Sequence, residues 1–378
     1  MLGSPVARHE LWMVEAREND FLIAVTRFGG GARSRARGYR GTSSGAAAPR
    51  PTLGASAASP RTPEENAVIA RTDFGTAPLD GLPAAVTICE VGPRDGLQNE
   101  AAVVPVAVKA EFVERLVDAG HTLVEVTSLV HPKWIPQLAD AEELLRRLPI
   151  RDGVRYPVLV PNERGLARAQ ALGVRDIAVF GSVTEAFARR NLNRSVAESL
   201  QMFAPVVAAA REDGMAVRGY LSMCFGDPWE GEVTPVQVVA VAAKLMALGC
   251  TELSIGDTIG VATPGRVAVL LDALVAAGIP IGRIAVHFHD TYGQALANTL
   301  VALRRGVTTV DASAGGLGGC PYAKSATGNL AGEDLLWQLD GLGVRTGVDL
   351  GKLAETSVWM ARQLGRPSPS RTVQALTR

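Results

Sequence analysis

From residue 85 onward, short apolar runs rich in β-formers alternate with longer runs whose apolar residues recur at helical spacing. The β-rich runs are AVTICEV (85–91), TLVEVTS (122–128), RYPVLVP (155–161), DIAVFGS (176–182), AVRGYLS (216–222), TELSIGD (251–257), IAVHFHD (284–290) and TTVDASA (308–314). Between them, stretches such as PVAVKAEFVERLVDAG repeat apolar residues three and four apart, the stripe of an amphipathic helix. Thr234-Pro235 and Thr263-Pro264 read as helix starts, because Thr caps free N–H groups and Pro fits the first helical position. Gly120, Gly173, Gly214, Gly249, Gly278 and Gly306 read as helix ends, where glycine accepts the left-handed conformation.

Eight strand–helix units in roughly 255 residues are what a (β/α)8 barrel requires. An open, doubly wound sheet uses the same units. It favours a glycine-rich dinucleotide turn after the first strand, and EVGPRDGLQ is not G-x-G-x-x-G. The expected fold is therefore an α/β TIM barrel over residues 81–378. Residues 1–80 have a different texture. The stretch RFGGGARSRARGYRGTSSGAAAPRPTLGASAASPRTP is rich in Gly, Ser, Ala, Pro and Arg. It offers too little apolar surface to offset the entropy of ordering, so a disordered extension is expected.

Composition narrows the function. The 38 Lys and Arg balance the 38 Asp and Glu, which leaves no electrostatic case for nucleic acid or for an acidic membrane surface. No apolar run approaches the ~18 residues of a membrane span. Cys89, Cys224, Cys250 and Cys320 are far apart and form no CxxC, which speaks against a disulfide scaffold and fits a reducing compartment. Glu10, Glu15, Glu18 and Asp20 argue against an organelle-targeting peptide, so a cytoplasmic location is expected.

In a TIM barrel the chemistry sits at the C-terminal ends of the strands. Arg94 and Asp95 follow the first run, Glu125 lies near the end of the second, and Asp257 ends the sixth. His287, His289 and Asp290 end the seventh, and Asp311 and Ser313 lie in the eighth. Each is costly to bury unless paired or ligated. Residues two apart in a strand share a face, so His287 and His289 should point into the barrel together while Val286 and Phe288 face the helices. Two imidazoles on one face at a barrel mouth suit a divalent metal better than two core histidines bonded to carbonyls. Asp95 is the leading third ligand. A carboxylate, imidazoles and an amide oxygen suit Mg²⁺ or Mn²⁺, and the ligand types alone leave zinc open. After the eighth run comes DASAGGLGGCPYAKSATGN, in which four glycines precede Cys320. A loop so rich in glycine at the active face suits a reactive thiol.

These segments together resemble the hydroxymethylglutaryl-CoA lyases, within the metal-dependent lyase and Claisen-condensing barrel superfamily. The resemblance spans about residues 85–345 and rests on EVGPRDGLQNE, VEVTSLVHPKWIPQ, VRGYLS, SIGDTIGVATP, HFHDTYGQALAN and GGLGGCPYAKSATGNLAGEDL. RDG and HxH are shared across the superfamily, whereas GGLGGCPYA is much more specific. The resemblance implies that Asp95, His287, His289 and Asn329 hold the metal, that Arg94 stabilises an enolate oxygen, and that Cys320 is the general acid. Glu125 and Asp257 match active-site acids, Arg218 matches a position near the substrate thioester, and Ser254 and Thr258 fall among expected substrate contacts. Glu333 matches an acid in the surrounding shell. An acyl-CoA substrate and a homodimer are implied as well. Two stretches depart from the family pattern: Ala101 stands where many members carry Lys, and MCFGDPWEG replaces a cysteine-containing version. Both bear on the CoA contacts and the acyl group, so a lyase for a longer branched 3-hydroxyacyl-CoA stays open.

Three other classes compete. A Claisen-condensing transferase of this superfamily would lack the Cys320 loop. A carboxyltransferase module needs a barrel lysine, and none of the eight runs contains one. A non-catalytic binding protein would most readily have lost Arg94, Asp95, His289 or Cys320, and all four are present.

Overall fold

The structure, a computed structural model, describes residues 75–319 and 328–377. The strands are β1 (Thr87–Glu90), β2 (Leu123–Val124), β3 (Thr127–Ser128), β4 (Val158–Leu159), β5 (Asp176–Ser182), β6 (Ala216–Ser222), β7 (Gly226–Asp227), β8 (Gly231–Glu232), β9 (Glu252–Asp257), β10 (Ile284–Phe288) and β11 (Thr309–Ala312). Nine of them form one parallel sheet in the order β2-β1-β11-β10-β9-β6-β5-β4-β3. The two ends of that order, β2 and β3, are halves of the single run 122–128. The sheet therefore closes on itself, and its eight staves form a (β/α)8 barrel.

The seam has a local cause. β2 pairs with β1, and β3 pairs with β4. Glu125 N donates to Glu90 O at 2.9 Å on the β1 side, while Val124 N and Val126 N donate to Arg155 O at 3.0 Å and Pro157 O at 3.1 Å on the other. The run bonds both neighbours up to Glu125; bonding on the β1 side stops there because β1 ends at Glu90, and bonding on the β4 side continues to Leu129. β7 and β8 make a small antiparallel ribbon beyond the C-terminal end of β6.

The helix boundaries follow the sequence punctuation, with one correction. All six expected terminal glycines have positive φ, between 71° and 115°. Thr234 and Thr263 do occupy the N-cap positions of helices Pro235–Leu248 and Pro264–Ala276. Thr234 forms a capping box with Gln237, as expected, whereas Thr263 does not cap through its side chain. Gln237 Oε1 accepts from both the N–H and the hydroxyl of Thr234, each at 2.8 Å, and no side-chain cap bond forms at Thr263. Proline lowers the need for a cap, because it removes one of the N–H groups that would require a partner.

Both faces of the barrel sheet are buried, as a parallel sheet demands. In β10, Val286 and Phe288 pack into the layer shared with the helices, and the Phe288 ring lies 6.2 Å from that of Phe225. The helix Leu350–Gln363 lies outside the barrel against Val106–Asp118. Trp359 stacks there near Phe112, with the Arg115 guanidinium 4.6 Å from its ring. No helix among the described residues is long and apolar enough to cross a membrane. The expectation of a disordered extension falls mostly on residues 1–74, which lie outside the described residues. Residues 75–80 are exposed, and Ala77 N donates to Gly341 O at 2.9 Å.

Candidate active site

Asp95, His287 and His289 converge at the C-terminal mouth, and one donor atom from each falls within 4.8 Å of the others. Three local structures bring them there. Asp95 rides on a tight π-helical turn, Gly92–Gly96, directly after β1. His287 lies in β10, and His289 one residue past its end. Asn329 is tied alongside by a bridge to His289 and by Leu330 N donating to Phe288 O.

The donor set fits a hard or borderline divalent cation. Asn329 Nδ2 donates to Asp95 Oδ2 at 2.7 Å and to Leu317 O at 3.1 Å, while its buried Oδ1 has no partner among the described residues. The buried His289 Nδ1 has none either. Burial, with His287 beside it, holds the His289 pKa down to about 4, which keeps the ring in the neutral, ligating form. Burial disfavours the charged form of Asp95, but Arg94 and the two imidazoles outweigh it and lower its pKa to about 2. At His287, burial is opposed by Asp311, and the net shift is upward. Asp311 Oδ2 sits 3.2 Å from His287 Nδ1; a proton on Nδ1 would donate to it and leave Nε2 for a ligand. A carboxylate and two imidazoles thus meet at one point, with the Asn329 amide bonded to Asp95 beside them, a set that suits a divalent cation.

Beside the cluster, Arg94 is clamped from two directions. Its Nε donates to Glu125 Oε2 at 2.8 Å, and its Nη1 donates to Asp95 Oδ1 at 2.8 Å. Tyr220 completes this group: its hydroxyl donates to Glu125 Oε2 at 3.0 Å, and its ring lies 5.3 Å from the Arg94 guanidinium. Burial raises the Glu125 pKa despite Arg94. The sequence reading gave Tyr220 no role. It stands two residues after Arg218 in β6, so the shared face was legible, but a tyrosine in an apolar strand reads first as core.

The remaining expected residues are placed differently. Arg218 does not open into the mouth. It donates to Asp311 and, at 2.6 Å, to Glu252, and it lines a cavity of about 330 Å³ at the opposite, N-terminal end of the barrel with Arg155, Asp176 and Thr251. Ser254 Oγ donates to Asp311 Oδ2 at 2.8 Å. Arg218 and Ser254 therefore support Asp311, and through it His287. Asp257 spends both oxygens on the backbone, accepting from Val261 N and Ala262 N at 2.9 Å each; burial pushes it up to about 6. Thr258 Oγ1 accepts from Met223 N at 2.9 Å and holds that residue at φ 61°, a left-handed conformation uncommon for a side chain of this size. Glu333 is fully buried, accepts from Gly315 N at 2.9 Å and from Ser357 Oγ, and is pushed up by burial to about 7. Cys320 lies outside the described residues.

A family model described as HMGL-like matches residues 85–359. The mitochondrial hydroxymethylglutaryl-CoA lyase of Mus musculus is 51% identical over 300 residues, which cover 79% of this chain and 92% of that protein. The cytoplasmic 3-hydroxy-3-methylglutaryl-CoA lyase of Rattus norvegicus is 48% identical, over 79% of this chain and 86% of that one. Among solved structures, the hydroxymethylglutaryl-CoA lyase of Pseudomonas aeruginosa superimposes with a TM-score of 0.77 at 47% identity, covering 78% of this chain and 98% of that one. Matches this long, on a closed barrel whose mouth gathers a carboxylate, two imidazoles and an amide, leave one conclusion: the chain belongs to the hydroxymethylglutaryl-CoA lyase family.

Proposed function

We propose that this protein cleaves 3-hydroxy-3-methylglutaryl-CoA to acetyl-CoA and acetoacetate, using Mg²⁺ or Mn²⁺ held by Asp95, His287, His289 and Asn329. The observation that carries the reading is the meeting of that donor cluster with the clamped Arg94 at one barrel mouth. The substrate is a tertiary alcohol between a carboxylate and a thioester. A cation in this cluster supplies Lewis acidity, which lowers the hydroxyl pKa and fixes the geometry of the neighbouring oxygens.

The protein's own residues do the rest. Transfer of the hydroxyl proton to a general base makes that carbon a ketone as the C2–C3 bond breaks, and the electron pair leaves as the enolate of acetyl-CoA. Arg94 is the group placed to meet that developing negative charge. Its guanidinium is buried and held rigid by Glu125 and Asp95, so little reorganisation accompanies the reaction. Tyr220 shares Glu125 Oε2 with Arg94 and fixes the side from which the carboxylate holds it. Cys320 returns a proton to the enolate carbon. Asp311 keeps His287 in the tautomer that presents Nε2. We assign the assembled form as a homodimer on the family resemblance.

The test is acetoacetate release from the thioester by metal-stripped protein, with and without added Mg²⁺ or Mn²⁺. Metal-dependent release is expected. No release by folded, metal-loaded protein would reject this substrate while leaving the barrel and the cluster intact.

A further inference from the structure

The fully buried Glu90, the last residue of β1, is used by nothing in the scheme above. One of its oxygens nevertheless joins two turns that approach the site from opposite ends of the chain. Glu90 Oε1 accepts from Gly92 N at 2.7 Å and from Ala314 N at 3.0 Å. Gly92 opens the turn that carries Arg94 and Asp95. Ala314 opens the turn Ala314–Gly316 after β11, which leads to Leu317, whose carbonyl in turn accepts from Asn329 Nδ2 at 3.1 Å. The next N–H, that of Gly315, goes to a different buried carboxyl, Glu333, at 2.9 Å.

Both turns pack closely around this point. A Cβ on Gly92 would lie 2.6 Å from Glu90 Oε1, and a Cβ on Gly96 would lie 2.8 Å from Leu317 Cβ. Glycine leaves room there for the Glu90 carboxyl and for Leu317, and a buried N–H left without an acceptor costs about 1–3 kcal/mol. The other oxygen, Oε2, has no hydrogen-bond partner among the described residues and faces His121 Nε2 at 3.8 Å. Burial pushes the Glu90 pKa up to about 8 and the His121 pKa down to about 4, so the pair is neutral at neutral pH rather than a salt bridge. A single carbonyl-type acceptor is therefore what the position supplies.

We infer that Glu90 is a positioning residue whose Oε1 ties the Arg94–Asp95 turn to the Ala314–Leu317 turn, and so sets the spacing between Asp95 and Asn329. The metal arm of the test stands without the lyase reading; the kinetic arm rests on it. Glu90→Gln keeps one carbonyl oxygen on a chain of the same length, whereas Glu90→Met fills the space with no acceptor. Manganese affinity, measured by electron paramagnetic resonance, should stay within about 3-fold of wild type in Glu90→Gln. It should weaken by about 10-fold or more in Glu90→Met, at a melting temperature lowered by the two N–H groups left without an acceptor. With a wild type that turns over the thioester, kcat should fall in Glu90→Met with KM changed much less, and Glu90→Gln should restore it. If Glu90→Met does not fold, Glu90→Asp replaces it, because it keeps the acid but withdraws the oxygen from both N–H groups; its affinity should also fall. Wild-type affinity in Glu90→Met, or equal losses in Glu90→Gln and Glu90→Met, would overturn the inference. An inactive wild type would reject the substrate and leave the metal arm to decide the role of Glu90.

Discussion

Arg94 and Asp95 are neighbours in the chain, and their side chains bond each other, with Arg94 Nη1 2.8 Å from Asp95 Oδ1. Adjacent residues seldom meet this way in a strand or an α-helix, where neighbours point apart. The π-helical turn Gly92–Gly96 allows it. The same contact that lowers the Asp95 pKa also orients the guanidinium.

This geometry predicts the effect of Arg94→Lys. An ammonium reaches Glu125 or Asp95 but not both as a planar fork does. Turnover should fall by about 10²–10³-fold, as for loss of one oxyanion donor, with KM changed far less. A near-normal kcat in steady-state kinetics would remove Arg94 from the enolate-stabilising role.

Asp311 carries a second prediction. It receives Arg218, Ser254 and His287, so Asp311→Asn disturbs the tautomer of His287 and leaves a buried guanidinium with Glu252 as its remaining acid. Metal affinity should weaken by about 10–100-fold, and the melting temperature should drop, because removing one partner of a buried ion pair costs about 3–5 kcal/mol. Titration calorimetry with Mn²⁺ checks the first effect and scanning calorimetry the second; an unchanged affinity would show that the Asp311 contact does not matter to the ligand.

For the thiol, Cys320→Ala should cut turnover strongly while Mn²⁺ binds as in wild type. Binding and single-turnover measurements on the same preparation separate the two. Full activity in the alanine variant would assign the protonation step to another group.

Stability should depend on pH through the buried acids. Glu90, Glu333 and Asp257 have folded pKa values raised by burial to about 8, 7 and 6. Between the ordinary carboxylate range and those values, the folded state holds protons that the unfolded chain has released, so stability falls as pH rises. His121, lowered by burial to about 4, works the other way and destabilises the fold as pH drops from about 6.5. With a chelator present, the melting temperature should decline from pH 6 to 8.5, and Glu90→Gln should flatten that decline. Parallel profiles for the two proteins would show that Glu90 does not titrate in this window.

Deleting residues 1–74 should leave turnover and melting temperature nearly unchanged. The cut belongs there rather than at 80, because Ala77 N bonds Gly341 O. A large loss of either quantity would show that the extension contributes to the barrel.

Much of this was written in local patterns. The strand period alone paired His287 with His289, and six glycines marked helix ends around the barrel. What escaped were relations between distant residues. Nothing in TLVEVTS announces that Glu125 is where the bonding to β1 stops, since that depends on where β1 ends. Arg218 lies early in its strand, and its depth became evident only from its register against Glu252. Asp257 looked free for chemistry because the turn that occupies both its oxygens comes four and five residues later. Glu90 gives the same signal as Glu125, a carboxylate in an apolar strand, and nothing local tells an acid that binds two backbone N–H groups from one that binds a guanidinium.

The closed order of the staves has a consequence for how the protein is made. Asp95 and Asn329 are 234 residues apart, and Glu90 and Ala314 are 224 apart. A chain emerging from the ribosome exposes the first half of the cluster long before the second half exists. β1 waits meanwhile with one edge open for β11. Closing so long a loop is entropically slow, and an unpaired edge invites association with other chains. Until synthesis passes the last stave, the nascent chain has neither a closed barrel nor a complete donor cluster, so the cation of the proposed reaction would be captured at the end of folding.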